Sequence, residues 1–160
     1  MIDLNDKKGG IAMIALGCDH GGYELKEAIK KYLDKQGIAY KDFGTNSSAS
    51  VDYPEYAEAV TNSIVTNEAE KGILVCGTGV GMSIAANKVP GIRAALIGDC
   101  FSAKATREHN DSNVLCLGGR ILGENLALMI VDIWLNTAYI GAHHAKRLAM
   151  IAKMEEAAKK

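Results

Sequence analysis

The feature that most constrains the fold is a six-residue run, Lys71–Cys76 (KGILVC), that leads directly into a glycine loop. Its apolar residues are consecutive rather than alternating, which is the pattern of a strand buried on both faces of a parallel sheet. Parallel neighbours need long crossover connections, normally helices, because a short turn cannot return the chain to the same edge. This segment therefore predicts an α/β fold.

The rest of the chain alternates strand patterns with helix patterns. In Tyr23–Gln36 apolar residues recur at helical spacing with lysines on the opposite face, and Gly37 stands where a helix C-cap belongs. Pro54 suits the first turn of a second helix, which we expect to continue to about Asn67. The other predicted strands are Ile11–Gly17, Ile38–Phe43, Ile92–Ile97 and Asn113–Leu117, and the later helices are Ser102–His109, Gly123–Asn136 and His143–Ala158. The pattern predicts a single doubly wound, Rossmann-like α/β domain of about five parallel strands with helices on both faces.

Composition excludes several classes of protein. The 18 Lys and Arg against 19 Asp and Glu exclude a broadly basic nucleic-acid binder, and 48% hydrophobic residues exclude a disordered chain. No apolar run is long enough to cross a membrane, and the polar N-terminus is unlike a signal peptide. We therefore expect a cytoplasmic protein with neither nucleic-acid nor membrane partners.

Polar and glycine-rich segments follow the predicted strands, where ligands bind in an open parallel sheet. The first strand leads into Cys-Asp-His-Gly-Gly at 18–22, the third into Gly-Thr-Gly-Val-Gly-Met-Ser at 77–83, and the fifth into Gly118-Gly119-Arg120. We group with them Arg107–Asn110, at the end of the helix after the fourth strand. The sequence thus predicts that these segments together form a site.

The loop at 77–83 is the most informative of these segments. Met82 stands where a dinucleotide-binding fingerprint needs its third glycine, and no lysine is placed for a P-loop. Its amides, from Gly79 to Ser83, lead into a helix N-terminus and are expected to bind an anion or a developing oxyanion. A tight packing turn is the alternative.

Cys76 immediately precedes this loop, where the field of a helix N-terminus favours a thiolate. Such a thiolate is suited to act as a nucleophile or as a base toward a C–H bond, and its position leaves both open. The other cysteines, Cys18, Cys100 and Cys116, have no CxxC spacing, and we expect free thiols.

The histidines and arginines offer further candidates, each with a structural alternative. Asp19-His20 forms either an acid–base pair or a cap, and His109-Asn110 lies where a helix C-cap is also expected. Arg120 and Arg147 are suited to a phosphate group, whereas we expect Arg93 to be structural.

A metal site is not expected. His143 and His144 are adjacent and should point about 100° apart on a helix. No cysteine–histidine cluster with zinc-ligand spacing exists.

The last predicted helix carries a narrow apolar stripe of Leu148, Ile151 and Met154. Two interpretations stay open. The stripe packs on its own domain, or it reaches across to a second subunit.

Several motifs together resemble one family. They are CDHGG at 18–22, DYPEYA at 52–57, ILVCGTGVGMSIAANK at 73–88, GIRAA at 91–95, REHNDSNVLCLGGRILG at 107–123 and HxxR at 144–147. In this order and over about residues 13–155, the chain resembles the type B ribose-5-phosphate isomerases, whose relatives act on allose or galactose phosphates. The resemblance implies an isomerase domain at 13–160 after an N-terminal extension at 1–12.

The resemblance also implies an activity. The family interconverts ribose 5-phosphate and ribulose 5-phosphate, a reaction of the pentose phosphate pathway, through an enediolate and with neither metal nor cofactor. Isomerisation of a six-carbon sugar phosphate such as allose 6-phosphate is the alternative. The family forms homodimers or dimers of dimers, with the site between two subunits that contribute different halves.

Residue roles follow from the resemblance in the same way. Cys76 resembles the base that moves the proton between C1 and C2, and His109, with Asp19 and Thr78 near it, resembles the ring-opening acid–base group. The enediolate hole is implied at the amides of Gly77, Thr78, Gly79, Val80 and Gly81 and at Ser83. Implied phosphate ligands are His20, Arg120 and Arg147, and Asn110 is an implied hydroxyl ligand.

One position departs from the family pattern. The family usually reads GGRHxxR near its end, whereas this chain has His143 in place of the first arginine. A histidine is shorter and only partly charged at neutral pH. We therefore expect His143 to contact phosphate less strongly or to change the length of sugar accepted.

Two other classes of protein fit the strand-end residues. A flavodoxin-like module would bind a nucleotide or flavin there, but only 6% of the residues are aromatic. A cysteine hydrolase would use Cys76 as nucleophile and His109 as its partner.

Overall fold

A five-stranded, all-parallel sheet forms the centre of the structure. The structure is a computed structural model and describes residues 13–159. The N-terminal extension predicted at 1–12 lies outside the described residues. The strands are β1 (Ile14–Cys18), β2 (Tyr40–Asp42), β3 (Lys71–Cys76), β4 (Ala94–Leu96) and β5 (Val114–Gly118). The predicted α/β class is confirmed.

Helices follow the strands in alternation. They are α1 (Tyr23–Gln36), α2 (Tyr53–Val65), α3 (Val80–Ala86), α4 (Cys100–Asn110), α5 (Glu124–Asn136) and α6 (His143–Ala158), with a 3-10 turn at His20–Gly22. The predicted bounds of α1, β3 and α6 are confirmed. Gly37 ends α1 with a φ of +67° and donates its N–H to the carbonyls of Leu33 and Asp34, the left-handed cap that glycine makes without strain.

β4 is shorter than its apolar pattern predicts. The Asn87 side chain accepts from the Ala94 N–H and donates to the Ala94 carbonyl, both at 2.9 Å, so a side chain takes the place of another strand at this edge. Arg93, just before β4, donates to the carbonyls of Asn110 and Asp111, which is the structural role expected for it.

The sheet carries a buried core on each face. Strand residues such as Leu16, Val75 and Leu117 pack with α1 and α5, which includes the fully buried Trp134. Alternate strand residues such as Leu74 pack with α2 and α3 on the other face. The chain is therefore doubly wound, as its alternation predicts.

The strand order is β2-β1-β3-β5-β4, so β1, β3 and β5 lie side by side in the middle. From β1 the chain winds outward to β2 and then returns to β3 on the other side of β1. This reversal opens a crevice at the carboxyl ends of β1 and β3, where such sheets bind ligands.

None of the helices at residues 13–159 combines the length and the apolar character that a membrane span requires.

Candidate active site

The carboxyl end of β1 carries Asp19 and His20. One carboxylate oxygen of Asp19 accepts from the N–H groups of Gly21 (2.8 Å) and Gly22 (3.2 Å), so Asp19 caps the 3-10 turn. His20 accepts at Nδ1 from the Val51 N–H at 3.3 Å. A neutral imidazole that accepts at Nδ1 carries its proton on Nε2, which leaves that nitrogen as a donor.

The carboxyl end of β3 places the Cys76 thiol inside the glycine loop. Cys76 is only 5% exposed, and its Sγ accepts the Gly79 N–H at 3.1 Å. A backbone donor aimed at sulfur stabilises a thiolate more than a thiol. Gly79 has a φ of +78°, and an added Cβ would lie 2.6 Å from Leu96 Cδ1 and 2.8 Å from the Leu117 carbonyl carbon. Only glycine therefore fits where this N–H must stand.

The other cysteines differ from Cys76. The described cysteines are all free thiols, as expected. Burial raises the pKa of the Cys18 thiol to about 11. The pKa of the Cys116 thiol is raised as well, mainly by burial and to a smaller extent by the nearby Cys76. Both side chains are therefore protonated near neutral pH and act as small buried groups, whereas Cys100 is half-buried at the start of α4.

The first turn of α3 supplies the remaining backbone donors. Val80 donates its N–H to Thr78 Oγ1 at 3.3 Å, and Ser83 uses its N–H on the Gly79 carbonyl and its hydroxyl on the Val80 carbonyl. The first N–H groups of a helix have no acceptor within it. The Gly81 amide is therefore the donor of this turn best placed for a developing oxyanion, because Met82 is fully buried and Ser83 is engaged within the helix.

The carboxyl end of β5 brings Arg120 to the same place. The Arg120 side chain lies against Gly77, where an added Cβ would meet its Cδ and Nη1 at 3.3 Å. Gly119 packs on the preceding loop, since its added Cβ would lie 2.6 Å from the Gly21 carbonyl oxygen. A cleft of about 210 Å³ opens here, lined among others by His20, Ser48 and Arg120. We call the group Asp19, His20, Cys76, Thr78 and Arg120 the strand-end half-site.

A second cluster lies where α4 ends and α6 begins. The His109 ring stacks on the His144 ring with centroids 4.3 Å apart and planes at 14°, and the His143 ring lies 4.0 Å from that of His144. His109, Asn110, His143 and Arg147 are exposed, whereas His144 is buried. We call these five residues the helix-end half-site.

Electrostatics distinguishes His144 from its neighbours. Desolvation by burial is the main cause that lowers its pKa, and His143, His109 and Arg147 act in the same direction, while Glu108 opposes them. His144 is the residue that sequence reasoning missed as a site candidate. The sequence does carry a sign of its role, since His144 is the histidine of the HxxR motif at 144–147. No group of three or more His, Cys, Asp or Glu in the described chain is arranged to hold a metal.

The two half-sites lie at opposite ends of the strands within one chain. Helix α4 starts beyond the carboxyl end of β4 and runs back over eleven residues, about 16 Å. Its last residue, Asn110, accepts through its carbonyl from Arg93, which precedes the amino end of β4. His109 and Asn110 therefore do not join Asp19, Cys76 and Thr78 within one chain.

Comparisons with known proteins give a consistent result. The model of the family described as Ribose/Galactose Isomerase matches residues 14–151. Ribose-5-phosphate isomerase B of Escherichia coli is 48% identical over 89% of this chain and 96% of its own length. The structure of ribose-5-phosphate isomerase B from Clostridium thermocellum has a TM-score of 0.89 at 49% identity, over 90% of this chain and 97% of that one. The enzyme of Mycoplasma genitalium, with ribulose 5-phosphate bound, has a TM-score of 0.86 at 37% identity, over 90% and 96% of the two chains.

Proposed function

This chain belongs to the ribose/galactose isomerase family, and we propose that it interconverts ribose 5-phosphate and ribulose 5-phosphate. The observation that carries the proposal is the Cys76 sulfur at the carboxyl end of β3, which accepts the Gly79 N–H inside the glycine loop, next to the first turn of α3. This arrangement joins a base to an oxyanion hole, the two elements that an enediolate mechanism needs. Family membership favours this function over the flavin-binding and hydrolase alternatives.

The oxidation and the reduction in this reaction both take place within the substrate, at its neighbouring carbons C2 and C1. The Cys76 thiolate removes the proton on C2 of the open-chain aldose, and the electron pair of that bond moves through C1 onto the carbonyl oxygen. The amides of the Gly77–Gly81 loop, that of Gly81 in particular, stabilise the enediolate oxygen as its charge develops. The thiol then returns the proton to C1, and the proton of the C2 hydroxyl passes to the oxygen on C1, which yields the ketose and regenerates the thiolate without an external oxidant or reductant.

Ring opening precedes this step, because cyclic ribose 5-phosphate has no carbonyl group. We assign it to His109, which takes the proton of the anomeric hydroxyl and delivers a proton to the ring oxygen as the C–O bond breaks. Asn110, next to it, is suited to hold a sugar hydroxyl. The phosphate is assigned to His20 and Arg120 on one side and to His143 and Arg147 on the other.

The separation of the half-sites supports a homodimer whose site is shared. Within one chain, Cys76 lies at the carboxyl ends of the strands and His109 toward the amino end of β4, so in the proposed site a second copy supplies the missing half. Large apolar side chains on the helices that follow β3 and β4 are left uncovered in one chain, including Ile84 on α3 (57% exposed) and Phe101 at the start of α4 (83% exposed). Exposed apolar surface of this kind marks a protein interface.

The activity is tested by incubating the protein with ribose 5-phosphate in D₂O and following the product by NMR. We expect ribulose 5-phosphate that carries deuterium at C1, because the base exchanges its proton with solvent. Unphosphorylated ribose is the matched control substrate and should turn over far more slowly. Faster turnover of allose 6-phosphate than of ribose 5-phosphate would overturn the choice of sugar.

The shared site is tested by co-expressing Cys76→Ala chains with His109→Asn chains. Each variant alone lacks one group at every site, but half of the randomly formed dimers are mixed and contain one intact site. Mixed preparations should therefore regain about a quarter of wild-type activity. Co-expression of Cys76→Ala with Cys76→Ser is the control and should regain none. No recovery in the first mixture would show that the two groups do not meet across subunits.

A further inference from the structure

Lys26 of α1 carries a charge that the proposed mechanism does not use, and it is completely buried. Its ammonium donates to both carboxylate oxygens of Asp42 (2.9 and 2.7 Å) and to the Thr45 carbonyl (2.8 Å). An ammonium has three N–H donors, so these acceptors satisfy all of them.

Stability alone is a weak reason for such an arrangement. Taking an ammonium and a carboxylate out of water costs several kcal/mol, and apolar replacements of buried ion pairs are often as stable. Asp42 also does not depend on Lys26 alone, since it accepts from Lys30 (3.0 Å) and from the Gly44 N–H (2.9 Å). The Thr45 carbonyl accepts from Lys26 at 2.8 Å and otherwise only from the more distant Cys18 thiol at 3.7 Å, so the ammonium is its strong donor among the described residues.

Thr45 lies where the loop between β2 and α2 joins the end of β1. The Thr45 N–H donates to the Cys18 carbonyl at 2.8 Å, and the Cys18 N–H donates to the Gly44 carbonyl at 2.7 Å. Cys18 is the residue before Asp19 and His20. The ammonium therefore fixes the start of the loop directly beside the strand-end half-site.

The far part of the same loop contacts His20. The Val51 N–H donates to His20 Nδ1 at 3.3 Å, and Ser48 lines the cleft that His20 and Arg120 share. Residues 46–50 between these points are exposed. The exposed middle of the loop is therefore held between the start at Thr45 and the end at Val51, just before α2 begins at Tyr53.

We propose that Lys26 is a positioning residue, which holds the loop from Thr45 to Val51 against β1 and so fixes the tautomer and place of His20 for the substrate phosphate; this role rests on the proposed function. It predicts that Lys26 acts mainly on KM. The phosphate lies away from the atoms that react, so a displaced His20 weakens binding of substrate and transition state alike.

The test compares Lys26→Met/Asp42→Asn with Lys30→Met. The double variant removes both members of the buried ion pair, so neither charge is left buried alone, and it provides a folded protein even where Lys26→Met by itself does not fold. We expect its KM for ribose 5-phosphate to rise about tenfold with kcat little changed, the loss expected for one displaced hydrogen bond to a charged group. Lys30→Met removes a partner of Asp42 but touches no loop carbonyl, and its KM should stay within about twofold of wild type.

A second measurement does not depend on turnover. In the wild-type protein, the ¹⁵N chemical shifts of His20 should show an Nε2–H tautomer, and the amides of Thr45 and Val51, which donate to Cys18 and His20, should exchange slowly with solvent. In the double variant the tautomers should mix and the exchange should become faster. A protein without isomerase activity would contradict the proposed function and still allow this measurement. A folded double variant with wild-type KM and an unchanged His20 spectrum would overturn the role of Lys26.

Discussion

The strand-end half-site holds its groups mainly through the backbone, whereas the helix-end half-site holds them through stacked side chains. Cys76 accepts a backbone N–H and Asp19 accepts two, and the surrounding loops pack glycine against backbone. His109 is held by a ring stack on His144 and lies on an exposed helix end.

The difference matches the chemistry assigned to each half. Stabilising an enediolate requires donors that do not reorganise as charge develops, and backbone amides fixed by close packing meet that need. Opening a sugar ring requires a group that gains and loses a proton near neutral pH, which is a property of imidazole. Each half should therefore respond differently to mutation.

The largest effect is expected at the strand-end half-site from Cys76→Ser. A serine hydroxyl is a far poorer base than a thiolate, so kcat should fall by about 10²–10⁴-fold while the protein still binds sugar phosphate. Cys116→Ala, on the neighbouring strand and the same sheet face, is the control and should keep its activity. The assignment fails if Cys76→Ser retains more than about a tenth of the wild-type kcat.

His109→Asn tests the helix-end half-site and should separate ring opening from proton transfer. Turnover of cyclic ribose 5-phosphate should fall by about 10²-fold, because the variant removes the group assigned to proton transfer at the ring oxygen. Exchange of the C1 hydrogen of open-chain ribulose 5-phosphate with solvent should fall much less. Equal losses in the two assays would remove His109 from ring opening.

Gly79→Ala should damage the strand-end half-site through its backbone. An alanine at this φ costs about 1–2 kcal/mol, and the contact with Leu117 adds to that loss, which denaturant unfolding would measure. Activity should fall as well, because the N–H on Cys76 shifts. Gly37→Ala has a similar φ with nothing within 4 Å, so it shares the strain without the collision. A similar loss of activity in both variants would contradict the role of the Gly79 N–H.

His144→Phe tests the helix-end half-site through the pH dependence of its stability. The variant keeps a flat ring against His109 but removes the titrating group. The folded state lowers the pKa of His144 from 6.5, mainly by burial, with His143, His109 and Arg147 adding to it and Glu108 opposing it. Below that ordinary value the unfolded chain binds a proton that the folded chain does not, so wild-type stability should decline as the pH falls. Unfolding measured from about pH 7.5 to 5.5 should show a smaller decline in His144→Phe. Parallel curves would show that His144 titrates normally.

The smallest effect is expected from His143→Arg. An imidazole is shorter than a guanidinium and lacks its fork of donors, so the variant should lower KM for ribose 5-phosphate modestly and favour five-carbon over six-carbon substrates. An unchanged KM and an unchanged substrate preference would place His143 outside the phosphate site.

Much of the fold could be predicted from the sequence because its signals are local. The apolar run of β3, the helical spacing of α1 and the glycine after it depend on neighbours within a few residues, and the structure confirms all three. The strand-end segments and the motifs that resemble the isomerase family could be recognised for the same reason. Family membership confirms that resemblance, while the residue roles stay predictions.

Only the tertiary structure revealed the features that depend on contacts between residues far apart in sequence. The strand order and the position of α4 come from pairing between segments far apart in sequence, and they separate His109 from Cys76 by the length of a helix. The stack of His109 on His144 and the burial of Lys26 against Thr45 likewise join residues that no local pattern relates. Periodicity and capping follow from the order of residues, whereas these contacts follow from packing.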